Sequence, residues 1–103
     1  MNCGLTDIEL SKLNSVFSQY EDIEKVVLYG SRVKGTYKPF SDVDITLIGN
    51  TLTHNRRNQL STDIDDLLLP YQFDISIFHT LKNPDLIDHI KRVGITIYHK
   101  SNS

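Results

Sequence analysis

Residues 30–45 read GSRVKGTYKPFSDVDI. A Gly-Ser-Arg turn opens the stretch, and Asp42 and Asp44 sit near its end. The run before it, Lys25–Tyr29 (KVVLY), is short, apolar and β-rich. It reads as a buried strand that Gly30 stops. The run that begins at its end, Asp42–Ile48 (DVDITLI), alternates. Asp42, Asp44 and Thr46 share one face, and Val43, Ile45 and Leu47 share the other. Residues 31–36 have room for one or two helical turns before Pro39 stops them.

Outward from this core the elements follow in turn. Thr6 reads as a helix N-cap, with Glu9 completing a capping box. Leu10, Leu13, Val16, Phe17 and Tyr20 recur at helical spacing, which predicts a helix over 7–20. Leu60, Ile64, Leu67 and Leu68 mark the core face of a helix that ends before Pro70. Gln72–Phe78 (QFDISIF) alternates again, with Asp74 and Ser76 opposite Phe73, Ile75 and Ile77. Asn83 caps a last helix with Pro84 at its first position, and Gly94 ends it after Lys91 and Arg92. A final strand spans Gly94–Tyr98. The order α β (short α) β α β α β predicts an α/β sandwich. If Gly30 and Asp42 serve one site, the first two strands are antiparallel. If Asp44 meets Asp74, the second and third are parallel, joined by a helical crossover. The sheet is then mixed.

The chain has 103 residues, one cysteine and a formal net charge of −2. That length fits one domain over 1–103, with 100–103 as a flexible tail. A net negative charge gives no support for direct nucleic-acid binding. The lone Cys3 excludes an intrachain disulfide and a Cys-based zinc site, and reads as an incidental thiol. The start MNCGLTDIEL lacks the regions of a signal peptide, and no apolar run has membrane-spanning length. A cytoplasmic enzyme or interaction module is expected.

The spacing also constrains the chemistry. Asp42 and Asp44, at i and i+2, aim two carboxylates the same way. Ionised and unpaired, they repel. A hard divalent cation such as Mg²⁺ relieves that repulsion and prefers oxygen ligands. Asp74 adds a third carboxylate. Three such groups suit two metal ions held roughly 4 Å apart, the arrangement used in phosphoryl transfer. The Gly30-Ser31 turn offers backbone N–H groups and a hydroxyl to an anion. Arg32 and Lys34 add positive charge, and Gly35 lets the backbone turn away. The turn therefore suits a triphosphate, and the aspartates suit the metal bound to it. Tyr37 and Phe40 are base-stacking candidates by nearness in sequence only. His54, His79, His89 and His99 show no ligand spacing and read as structural or surface groups. Asp63, Asp65 and Asp66 read as a solvated helix face.

GSRVKG followed by SDVDI and then FDI resembles the minimal nucleotidyltransferases of the DNA polymerase beta-like superfamily. Gly30, Ser31 and Gly35 match the G-S-x-x-x-G element, Asp42 and Asp44 the metal pair, and Asp74 the third carboxylate. Ile45 replaces the more usual leucine. The resemblance covers nearly the whole chain. It implies a nucleotidyltransferase-fold core, ATP with Mg²⁺, and transfer of a nucleoside monophosphate. It implies Gly30, Ser31 and Arg32 at the nucleotide phosphates, with Asp42, Asp44 and Asp74 as metal-binding catalytic groups. It further implies a hetero-oligomer with a small helical HEPN-type toxin. The chain would then be the antitoxin, placing AMP on a partner tyrosine. Transfer to a small-molecule hydroxyl, and neutralisation of the partner by binding alone, remain open alternatives.

Overall fold

The computed structural model describes residues 4–34 and 42–100. Helix α1 spans Asp7–Phe17. Thr6 Oγ1 accepts the Glu9 N–H at 3.1 Å, and Glu9 Oε1 accepts the Thr6 N–H at 2.9 Å. Two otherwise orphaned donors are thereby satisfied. The helix ends three residues earlier than the periodicity predicts, because Ser18 caps it and the chain turns. Tyr20 reaches the core from that turn and is 6% exposed.

Strand β1 (Lys25–Tyr29) leads into a one-turn helix α2 (Ser31–Lys34). Strand β2 spans Val43–Ile48, starting one residue later than expected. Helix α3 (His54–Asp65) is capped by the Thr53 side chain, and only Leu60 and Ile64 are buried on it. The expected core role of Leu68 is not met. The helix has ended before it, its φ of 58° is left-handed, and it is 87% exposed. Strand β3 (Phe73–Ile77) is shorter than the alternation suggests, because Phe78–Thr80 turns into a 3₁₀ helix. Helix α4 (Pro84–Val93) begins at the expected Asn83 cap, and β4 covers Ile95–His99.

The sheet order is β3-β2-β1-β4. β1 pairs antiparallel with both β2 and β4, and β2 pairs parallel with β3. This is the mixed sheet the site argument requires. One face carries Val26, Leu28, Val43, Ile45, Leu47, Ile75, Ile77 and Ile97 against Leu13 and Phe17 of α1 and Leu60 and Ile64 of α3. The opposite face carries Val27 and Tyr29 under Ile90 and Leu86 of α4. At roughly 25 cal/mol per Å² of buried apolar surface, the first face supplies most of the folding drive.

Lys100 is not the start of a loose tail. Its backbone N–H donates to Glu24 at 2.8 Å and its Nζ to the Glu21 carbonyl at 2.9 Å. Expectations for Cys3, Gly35, Tyr37, Pro39, Phe40, Ser41 and residues 101–103 lie outside the described residues. Among the described residues no helix is long and apolar enough to cross a membrane.

Candidate active site

The register of the sheet assembles the site. Asp44 lies opposite Tyr29 on one side and opposite Asp74 on the other. Antiparallel pairing brings the end of β1, and hence Gly30, to the beginning of β2. Parallel pairing sets the two carboxylate-bearing strands level. Gly30 has φ +83°, and a Cβ there would run into Asp44 Oδ2 and come within 3.2 Å of Asp44 Cγ. Only glycine lets the backbone lie this close to the carboxylate.

An open cavity of about 490 Å³ is lined by Tyr29, Gly30, Lys34, Asp44, Asp74, Asp85, Leu86 and His89. Asp74 and Lys34 are exposed, and Asp44 and Ser31 are half-buried. Burial pushes the Asp44 carboxyl above its ordinary range, and the charges of Asp74 and Asp42 push it further. Arg32 opposes them. Burial likewise raises the Tyr29 hydroxyl, with the Asp74 and Asp44 charges adding to it and a hydrogen bond with Ser76 opposing. Asp42 is exposed at the entry to β2. It does not line the cavity, but its charge is felt at Asp44.

Arg32 was expected beside the phosphates. Its side chain instead runs inward, and the residue is 2% exposed. Its guanidinium stacks 4.7 Å from the Tyr71 ring centroid, and its Nε donates to the Asp42 carbonyl at 3.4 Å. In this position it braces the entry to β2 and lends Asp44 a nearby positive charge.

Four side chains in the cavity have no site role in the sequence reading: Tyr29, Asp85, Leu86 and His89, the last of which reads there as a structural or surface group. Tyr29 closes β1 on the same face as Val27. Asp85 and His89 stand one helical turn apart on α4. The His89 Nε2 accepts the Gly30 N–H at 3.2 Å, and its ring meets Tyr29 edge-on at 6.4 Å between centroids. The signal for His89 was available, since it falls on the stripe formed by Leu86, Ile90 and Val93 at helical spacing. Asp63 is not simply solvated either, because its carboxylate accepts the Tyr20 hydroxyl.

Among the described residues, no group of three or more His, Cys, Asp or Glu side chains is close enough to hold a metal ion as it stands. The donor set nevertheless suits a hard divalent cation. Asp44, Asp74 and Asp42 are all oxygen donors, and their mutual repulsion at Asp44 is the kind that a cation removes.

The fold is shared with solved structures. A chain of a toxin-antitoxin with AMP-PNP superposes with a TM-score of 0.71 at 19% identity, over 88% of this chain and 73% of that one. A tri-AMPylated HEPN toxin from Shewanella oneidensis in complex with MNT antitoxin gives 0.68 at 15% identity, over 93% and 74%. The toxin-antitoxin MntA-HepT gives 0.67 at 15%, over 92% and 74%. At these identities the likeness is one of fold. No curated protein matches the chain. The family model described as Polymerase beta, Nucleotidyltransferase matches residues 11–103, which takes in the turn, all three aspartates and every strand. The chain therefore belongs to the polymerase beta nucleotidyltransferase family.

Proposed function

We propose that this chain is a Mg²⁺-dependent adenylyltransferase that acts as an antitoxin. It transfers AMP from ATP to a tyrosine hydroxyl of a small helical HEPN-type partner. The observation that carries the reading is the level pairing of Asp44 with Asp74 beside the Gly30 backbone. Family membership supports nucleotidyl transfer. The choice of acceptor is supported by the solved structures of similar fold, one of which is a complex of a tri-AMPylated HEPN toxin with MNT antitoxin.

The side chains divide the work. The Ser31 hydroxyl donates to a phosphate oxygen, and the bare Gly30 Cα lets the triphosphate lie against the turn. Arg32 braces the Asp42 end of β2. Asp42, Asp44 and Asp74 would hold Mg²⁺, which supplies charge neutralisation at the phosphates. Asp74, exposed at the cavity mouth, accepts the proton of the incoming tyrosine hydroxyl. The phenolic oxygen bonds to the α-phosphorus, the bond from that phosphorus to the bridging oxygen breaks, and pyrophosphate departs. The partner surface supplies the alignment of the attacking oxygen, to within about 3.5 Å and in line. The two proteins would form a hetero-oligomer.

The test combines the chain, its helical partner, Mg²⁺ and ATP, followed by intact mass measurement. An adenylate-sized gain on the partner, lost with Asp44→Asn, is expected. A tight complex with no mass change would leave a binding antitoxin. Absence of any complex would point to a small-molecule acceptor.

A further inference from the structure

Gly30 is the hinge of the candidate site. Its φ is +83°, and its Cα lies against the Asp44 carboxylate, where no side chain fits. A peptide in that position needs something to hold it. The holder comes from 59 residues away, where His89 Nε2 accepts the Gly30 N–H at 3.2 Å. An accepting Nε2 means a neutral ring with its proton on Nδ1. The ring is fixed in turn by its edge-on contact with Tyr29, the residue that precedes the turn. Helix α4 is anchored to the sheet by Ile90 in the Val27–Tyr29 cluster. His89 therefore ties the turn to a packed helix.

We propose that His89 is the positioning residue of the nucleotide turn. It pins the Gly30 peptide so that the turn and Asp44 form one wall of the cavity before the nucleotide arrives. This rests on the nucleotidyltransferase reading above. The gain is preorganisation. A turn already held loses less freedom when a triphosphate binds. His89 acts through Gly30 and needs no contact with the reacting atoms.

The informative variant is His89→Phe, which keeps a ring against Tyr29 and removes the acceptor. His89→Gln restores an acceptor. Two measurements on the full chain are needed, with thermal melts to confirm folding. In the nucleotide-free protein, Gly30 amide exchange should quicken at least about tenfold in His89→Phe and recover in His89→Gln. In titrations of AMP-PNP with Mg²⁺, the Kd should rise about tenfold in His89→Phe and return towards wild type in His89→Gln. An unchanged Gly30 exchange rate overturns the proposal. So does an unchanged Kd, and so does tighter binding, which would mean that His89 competes with phosphate for the amide. If wild type itself binds no AMP-PNP, the nucleotide reading fails, while the exchange experiment still decides whether His89 holds the turn. Should His89→Phe fail to fold, His89→Ala takes its place in both measurements.

Discussion

The two faces of β2 are built from alternate residues of one six-residue strand, and they do opposite things. On one face Val43, Ile45 and Leu47 are fully buried against α1 and α3. On the other, Asp44 is half-exposed beside a cavity, and Thr46 is fully buried with its hydroxyl unpartnered among the described residues. The first face has every feature that favours folding. The second carries a carboxylate whose neighbours repel it and a hydroxyl with no hydrogen bond among the described residues, both of which oppose folding. Stability is concentrated on one face, which leaves the other free to hold groups that are poor for stability and useful for chemistry.

Substitutions should separate the two faces, beginning with the largest effect. Leu47→Ala empties a site in the helix-covered core. It should cost about 2–5 kcal/mol in chemical denaturation. A loss below about 1 kcal/mol would mean that this face is not the main source of stability. Gly30→Ala forces a left-handed φ on alanine and drives its Cβ into Asp44. A cost of about 1–3 kcal/mol is expected, together with loss of the Mg²⁺–ATP thermal shift. Retention of that shift would show that the close approach of turn and carboxylate is not needed for nucleotide.

On the other face, removing a polar group should do no harm to the fold. Thr46→Val keeps the shape and deletes the unpartnered hydroxyl, so stability should rise by about 1 kcal/mol. A drop of that size would reveal a partner for the hydroxyl. Asp44→Asn should leave the apoprotein as stable or slightly more stable, while abolishing the Mg²⁺–ATP thermal shift.

The pH dependence of Asp44 follows from its raised carboxyl. The folded chain keeps this proton at pH values where the unfolded chain has lost it. Stability therefore falls as pH rises from the ordinary 3.8 through the raised value. The cost is absent below that window and full above it. Melts across this range should show a shallower fall in Asp44→Asn, and equal slopes would mean that burial and the neighbouring carboxylates do not raise Asp44. A further pH effect lies far from the site. Burial and the Asp63 carboxylate push the Tyr20 hydroxyl up to about 12. Stability should then decline between about pH 10 and 12, and Tyr20→Phe should flatten that limb.

Much of this architecture was legible because it depends on short-range rules. The capping box at Thr6 and Glu9, the Asn83-Pro84 start of α4, and the alternation in β2 and β3 are local physics. The misreadings share a cause. Tyr20 and Leu68 both extend a helical period by coincidence, yet one reaches the core from a turn and the other lies in solvent. Spacing alone does not say where a helix is capped. Arg32 reads as a free cation in the sequence, whereas its stacking on Tyr71 needs a residue 39 positions away to be brought beneath it.

The sequence by itself determined the chemistry available: Asp42 and Asp44 at the head of one alternating run, Asp74 in another, and a Gly-Ser turn just before the first pair. It also implied the mixed sheet, since turn and carboxylates meet only if β1 and β2 run antiparallel and β2 and β3 parallel. Tertiary structure alone decided which groups complete the cavity. Asp85, Leu86 and His89 face Tyr29 across it because α4 packs over the sheet face above β1. That packing depends on burying Ile90 and Leu86 against Val27 and Tyr29, a long-range hydrophobic contact that no local spacing encodes.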